Sequence, residues 1–321
     1  MSVKEKDNNI NSGKKKLSAM KMRDMFGGYM LVAPFMLLLA VFSFYVFVSG
    51  FKLSLSDAQG INEGSFIGLQ NYKDVLYHDA FKSKDFWLAV KTTFLYAIGC
   101  LATQVPVAFI LAFILNHIPV VRIRGLLRAA FFVPVLINTV VIALLFRIFF
   151  NRDQGLINYI LGIFGLPNQA DWLFNSSWAI PLLIIVSFWQ WTGFHMVYFL
   201  AQLQTIDPSM YEAAKIDGAS PAKVLVKITM PLMRPAITYV MVTSAIGGLM
   251  MFDLVFMLFP NATYGPGGVA KTLVAFIYDE AFSQQFLMGR GAAIGWLTFI
   301  IIMIVSLFQL RVLGLGKHDE A

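Results

Sequence analysis

Charge is scarce in this sequence: charged residues make up 13% of the 321 positions, against roughly 25% in an average soluble domain. So few charges cannot coat a water-exposed surface of this size. Cysteine is almost missing. Cys100 stands alone, which excludes an internal disulfide and any multi-cysteine metal or redox centre. His117 and His195 are too few and too far apart for a metal cluster, and each reads as a packed or interfacial histidine. No G-x-x-x-x-G-K-[ST] occurs, and Gly314-Leu-Gly-Lys317 lacks the spacing to cradle phosphates, so a P-loop nucleotide hydrolase is excluded. There is no repeat of 20 to 50 residues, and no nucleophile–base pair stands at catalytic spacing, which leaves a membrane-embedded enzyme without support.

What the sequence has instead is apolar length. Hydrophobic residues fill 58% of it, and a helix needs about 20 consecutive apolar residues to cross a bilayer. Six runs of roughly that length are present, one with an internal acid: Tyr29–Phe51, Thr92–Asn116, Ala129–Phe146, Trp178–Leu203, Pro235–Phe259 and Gly291–Leu310. Backbone groups in lipid must be satisfied within each segment, and barrel strands would be about half as long, so the runs predict an all-α, polytopic membrane protein. The first run exceeds the apolar core of a signal peptide and no small-residue cleavage site follows it, so it reads as a retained span. Neither paired intramembrane charges nor inverted repeats are visible, which argues against a self-sufficient secondary transporter or channel.

Six spans put both termini on one side. That side carries sixteen basic residues: seven in the tail before the first span, Arg122, Arg124 and Arg128, then Lys215, Lys223, Lys227 and Arg234, and finally Arg311 and Lys317. The opposite loops carry nine, offset by nine acids. The positive-inside rule therefore predicts cytoplasmic termini, and the net charge of +7 belongs to a membrane face rather than to nucleic-acid binding. The expected division is a polar tail over 1–28, a membrane domain over 29–315 and a C-terminal tail over 316–321. The first outer loop, Lys52 to Lys91, is either a set of short amphipathic helices or a solvated loop. A third, Pro260 to Arg290, carries a strong turn signal at Tyr264-Gly265-Pro266-Gly267-Gly268.

The cytoplasmic loop over 205–234 is the most informative stretch. Asp207-Pro208 is a helix start, an N-cap carboxylate followed by proline at the first helical position. Gly218 supplies the left-handed residue that ends this helix, and Ser220-Pro221 starts a second. Alanines at 213 and 214 permit close approach by another protein. A helix lying under the headgroups is the alternative.

Glu212-Ala213-Ala214, Asp217-Gly218-Ala219, Ile228, Pro231 and Pro235 resemble the EAA loop of binding-protein-dependent ABC importers, with Met230 where that pattern has leucine. Phe66-Ile-Gly-Leu-Gln-Asn-Tyr72, Phe132-Val-Pro134 and Phe252-Asp253-Leu254 are similar to the carbohydrate-uptake permeases of that class. The resemblance covers about residues 29 to 315 and implies the type I importer permease fold. It also implies the partners: a second six-span permease, two cytoplasmic ATPase subunits that hold ATP and Mg, and an extracytoplasmic solute-binding protein. No cofactor is expected on this chain. Carried over, Glu212 is the charged contact to the ATPase, Ala213 and Ala214 its close-packing surface, and Gly218 the turn. Ala219 and Pro231 belong to the same coupling motif, and Asp217 caps the hinge locally. The implied cargo is a sugar or sugar-like solute.

For the solute path, polar groups at membrane depth are the natural candidates. Asp253 is the carboxylate within a span, Asn138 and Gln190 are amides, and Trp189, Trp191 and Tyr198 lie near Gln190. Sugars bind through hydroxyl hydrogen bonds and aromatic stacking. The same amides could equally tie helices together.

Overall fold

The computed structural model describes residues 25–62, 64–78, 80–259, 264–282 and 286–313. The tail up to residue 24, the Gly314–Lys317 segment and the expected C-terminal tail lie outside the described residues. Among the described residues the regular structure is helical, with two isolated β-bridges, Ser56 with Phe66 and Gln59 with Asn62, as the sole strand-like pairings.

Among the described residues, four helices are long and apolar enough to cross a membrane: α1 (Met25–Ser54), α2 (Ala80–Asn116), and two later ones, Ser176–Leu203 and Met288–Leu313. Two bent pairs bring the possible spans to six. In the first, α3 (Val121–Leu136) meets α4 (Thr139–Phe149) at 97°. The run Ala129–Phe146, expected as one span, is thus shared by two helices. Pro134 stands near the end of α3, Ile137 is extended, and the Asn138 side chain caps α4. A short helix, α5 (Leu156–Ile163), precedes α6 (Ser176–Leu203). After α7 (Pro208–Ile216), α8 (Pro221–Leu232) and α9 (Arg234–Leu249) form the second bent pair, at 72°. The run Pro235–Phe259 is also interrupted, at Met250–Phe252, before α10 (Asp253–Leu258). The chain closes with α11 (Leu273–Phe282) and α12 (Met288–Leu313).

The first outer loop is shorter than its charges suggest, because α2 starts at Ala80 rather than near Thr92. At 37 residues it is about 55 Å long, well beyond the hydrocarbon thickness of about 30 Å, so its first turns sit outside lipid and tolerate Lys84, Asp85 and Lys91. Those turns are held by packing: Phe86 and Ala89 are buried with Val75, Leu273, Phe276 and Ile294. Two short helical turns, Gln70–Lys73 and Asp74–His78, form the rest of that loop's regular structure. Asn71 anchors them by donating to the carbonyls of Ser54 and Ser56.

α2 and α6 run side by side in the same direction and form the centre. At one end Tyr96 and Cys100 join Leu182, Leu183, Val186, Leu254 and Leu258 in an apolar cluster. At the other, Phe109 and Leu115 join Phe199, Leu203, Met233 and Val240. Helices in lipid gain little from apolar burial against one another, so close backbone contact matters more. Gly193 shows this: a Cβ there would lie well inside contact distance of the Phe131 carbonyl, so α6 meets α3 backbone to backbone. α1 is the opposite case. Every residue from Met25 to Phe47 is exposed, and its firm contact is at its far end, where Phe47 and Phe51 pack on Trp296 of α12.

Candidate functional site

The stretch 207–232 folds as the two-helix knob that its caps predict. The Ser209 N–H donates to Asp207 Oδ1 at 2.9 Å, and this hydrogen bonding holds the exposed carboxyl below the usual carboxylate range. Gly218 has φ +70, and the Ala219 N–H reaches back to the Ala214 carbonyl at 2.9 Å, closing the end of α7. Ser220 Oγ then caps α8 by accepting from the Lys223 N–H. Tyr211 and Thr229 hydroxyls lie 3.5 Å apart and tie the two helices together.

Within the knob the motif residues divide. Glu212, Ala213, Asp217, Gly218 and Pro231 are exposed and Ala219 is partly covered, whereas Ala214 is buried against its own chain. Ala213 alone of the two alanines is therefore free to pack on another molecule. Asp217 departs from its expected role. Its backbone N–H bonds the Ala213 carbonyl, but its carboxylate takes no part in the described hydrogen bonds of the hinge. Beside these residues Ile216 is 87% exposed, a large apolar side chain on an otherwise polar projection.

The expected solute-path residues do not come together. Gln190 is 2% exposed, and its Nε2 donates to Thr139 Oγ1 at 3.0 Å and to the Ile137 carbonyl at 3.4 Å. It braces the break between α3 and α4, the helix-tying alternative. Asn138 is committed to capping α4 through the Val140 N–H at 2.8 Å. Trp189 faces outward against Phe146, Tyr198 stacks on Tyr239 with centroids 4.9 Å apart, and Asp253 is exposed at the first turn of α10.

A cavity of about 260 Å³ opens instead between α2, α6 and α9, walled by Tyr96, Cys100 and Gln104, by Trp191, Phe194 and His195, and by Thr243, Ser244 and Gly247. None of its lining residues is Asp, Glu, Lys or Arg. His195 Nε2 lies 3.1 Å from Ser244 Oγ, so the packed histidine expected from sequence is held in place and also presents its ring to the cavity. Of the residues proposed around Gln190, Trp191 is the one that lines this space. The spacing signal was present in retrospect: 96, 100 and 104 step along one face of a helix, as do 191 with 195 and 244 with 248. Beside Met251 of the cavity lining, hydrogen bonds tie α2 and the end of α9 to the segment before α11. Thr272 Oγ1 donates to the Met251 carbonyl at 2.7 Å, Thr92 Oγ1 to that of Val269 at 2.9 Å, and Thr93 Oγ1 accepts from the Leu273 N–H at 2.9 Å.

The model of one protein family, the binding-protein-dependent transport system inner membrane component, matches residues 104–314, a span that holds the knob and most of the cavity wall. The chain belongs to that family. It is similar to the arabinooligosaccharides transport system permease protein AraP of Bacillus subtilis, at 35% identity over 303 residues, covering 92% of this chain and 93% of AraP. It is also similar to the lactose transport system permease protein LacF of Rhizobium radiobacter, at 32% identity over 91% of this chain and 95% of LacF. The trehalose/maltose transport system permease protein MalF of Thermococcus litoralis is 31% identical, over 98% of this chain and 100% of MalF. The fold matches a chain of a bacterial ABC transporter involved in the import of the acidic polysaccharide alginate, with a TM-score of 0.79, 23% identity and coverage of 94% and 99%. As a member of the family the protein is a multi-pass permease of the cytoplasmic membrane and a transport component rather than an enzyme.

Proposed function

We propose that this permease carries a sugar or sugar-like solute inward as one half of a membrane pair, the other half being a second six-span permease. In this reading the six crossings are α1, α2, the α3–α4 pair, α6, α9 with its continuation, and α12, with both termini and the knob in the cytoplasm. The sixteen basic residues on that face support the orientation, and sugar-permease relatives support the cargo. An extracytoplasmic binding protein delivers solute from the opposite side. Two ATPase subunits, holding ATP and Mg, grip the knobs of the pair.

The observation that carries the reading is the continuity between knob and cavity. α8 runs into α9 through the buried Met233, and α9 supplies Thr243, Ser244 and Gly247 to the cavity wall. A push on Glu212, Ala213 or Ile216 is therefore passed from α7 to α8, which Tyr211 and Thr229 tie together, and across the bend at Met233 into α9 and the solute space. Helices packed at close backbone contact move as bodies rather than deforming. The cavity suits the cargo: an indole and phenyl offer apolar faces to sugar C–H groups, and imidazole, amide and hydroxyl groups meet sugar hydroxyls.

The test is ATP-driven uptake by the assembled transporter in proteoliposomes carrying Glu212→Ala. Uptake falls while solute binding persists. Unchanged uptake removes Glu212 from the coupling, and uptake by this chain with no ATPase present overturns the reading.

A further inference from the structure

The loop between α4 and α6 has a second concave site, away from the cavity. Residues 151–172 span two short turns and α5, and the loop is pinned from within. Asn158 is buried; its Nδ2 donates to the carbonyls of Arg152 and Ala170 at 2.8 and 2.9 Å, and its Oδ1 accepts from Trp172 Nε1 at 2.8 Å. Asn151 Oδ1 accepts from the N–H groups of Asp153 and Gln154. Gly155 fits so closely against Asn151 that a Cβ would overlap its carbonyl oxygen. These bonds use up the polar groups that shape the loop. Left over are the side chains of Asp153, Gln154 and Asn168, none of which enters a described hydrogen bond, and the Tyr159 ring, 68% exposed. All four border one crevice of about 480 Å³, within the roughly 300–1,000 Å³ usual for small-molecule sites.

We infer that this crevice is an outer binding site for an uncharged saccharide, distinct from the cavity, where solute is held before it enters the membrane. The inference rests on the proposed orientation, which puts the loop on the outside. Planar carboxylate and amide groups pair with adjacent sugar hydroxyls, the carboxylate as acceptor and the amides as both donor and acceptor. The phenol ring supplies a face for sugar C–H groups. No Lys or Arg lines the crevice, and the Asp153 charge repels a uronate, so neutral sugars are selected over acidic ones. The rigid frame means little ordering is required on binding. Phe150, next in sequence to the lining residue Phe149, lies in the same apolar cluster as Tyr96 and Cys100 of the cavity wall.

The experiment measures equilibrium binding of fluorescently labelled maltotriose, arabinotriose and a triuronate to the complete transporter in nanodiscs, without the binding protein. The native complex binds a neutral trisaccharide more tightly than the triuronate. Asp153→Ala, Tyr159→Ala and Asn168→Ala each weaken the neutral sugar by about tenfold, the worth of a lost hydrogen bond to a charged group or an equivalent contact. The three variants are measured again in a Ser244→Ala background, which weakens the cavity, and the same tenfold loss there assigns the binding to the crevice. All three crevice residues are exposed and unengaged, so their variants keep the native melting temperature. Affinity that survives all three substitutions, or a preference for the triuronate, overturns the inference. Failure of ATP-driven uptake in the native complex instead overturns the permease reading, and is recorded separately from the binding constant.

Discussion

Residues 207–232 make the knob from one continuous stretch, with its caps, its glycine and its apolar contact written in order along the chain. The cavity takes its walls from α2, α6 and α9, which lie far apart in sequence and meet through packing, with Gly248 of α9 close against the Ala97 backbone of α2. The knob is exposed and held by local hydrogen bonds; the cavity lies between helices held by packing. Under the proposed function, force is received where the chain is locally determined and solute is met where it is not. A substitution in one region should therefore leave the other's measured property alone.

The largest expected effect attacks the packing of α6, one wall of the cavity, against α3. Gly193→Val places atoms inside the Phe131 carbonyl and costs about 3 kcal/mol, the upper end for overpacking, read as a large fall in melting temperature of the detergent-solubilised chain. The knob, being local, keeps its shape in this variant. Next comes Ile216→Asp, which removes an apolar contact from the exposed tip of α7. ATP-driven uptake falls roughly thirtyfold, as when an interface hot spot of about 2 kcal/mol is lost, with no change in solute affinity. A matching loss of solute affinity breaks the division between the two regions.

Ser244→Ala frees the His195 ring and raises the solute KM by roughly fivefold to tenfold, since a net hydrogen bond contributes about 1 kcal/mol. ATPase stimulation at saturating solute stays native, and a change in the latter instead of KM blurs the comparison. The smallest effect is at Asp207. Its folded carboxyl titrates below the ordinary range, so the cap's contribution is present above about pH 4 and is lost as pH falls through the folded value. Asp207→Ala frays α7 at neutral pH to the degree that acid frays the native knob, read by hydrogen exchange at residues 208–212.

Much was legible before any coordinates. Apolar length and low charge gave the helical class, and Asp207-Pro208, Gly218 and Ser220-Pro221 gave the knob helix by helix, because capping depends on neighbours in the chain. The roles of individual side chains were less legible. Ala213 and Ala214 look alike in sequence, yet one faces out and one faces in. Gln190 and Asn138 are polar at membrane depth for a structural reason, bracing and capping the break between α3 and α4. That break itself hid within an uninterrupted apolar run, since hydropathy reports the solvent and not the direction of the axis. His195 and Trp191 reached the cavity wall because of where α2 and α9 lie beside α6, which no local pattern records.

By itself the sequence determined that this chain lives in lipid and that residues 207–232 form two capped helices. Each of these follows from interactions between near neighbours or from composition, which the chain carries wherever it goes. The tertiary structure alone decided which groups face the cavity, which alanine is free and where two spans bend. Those outcomes depend on helix rotation and on close backbone contact between segments, such as Gly193 against Phe131, and contacts at that range are settled only when the helices pack.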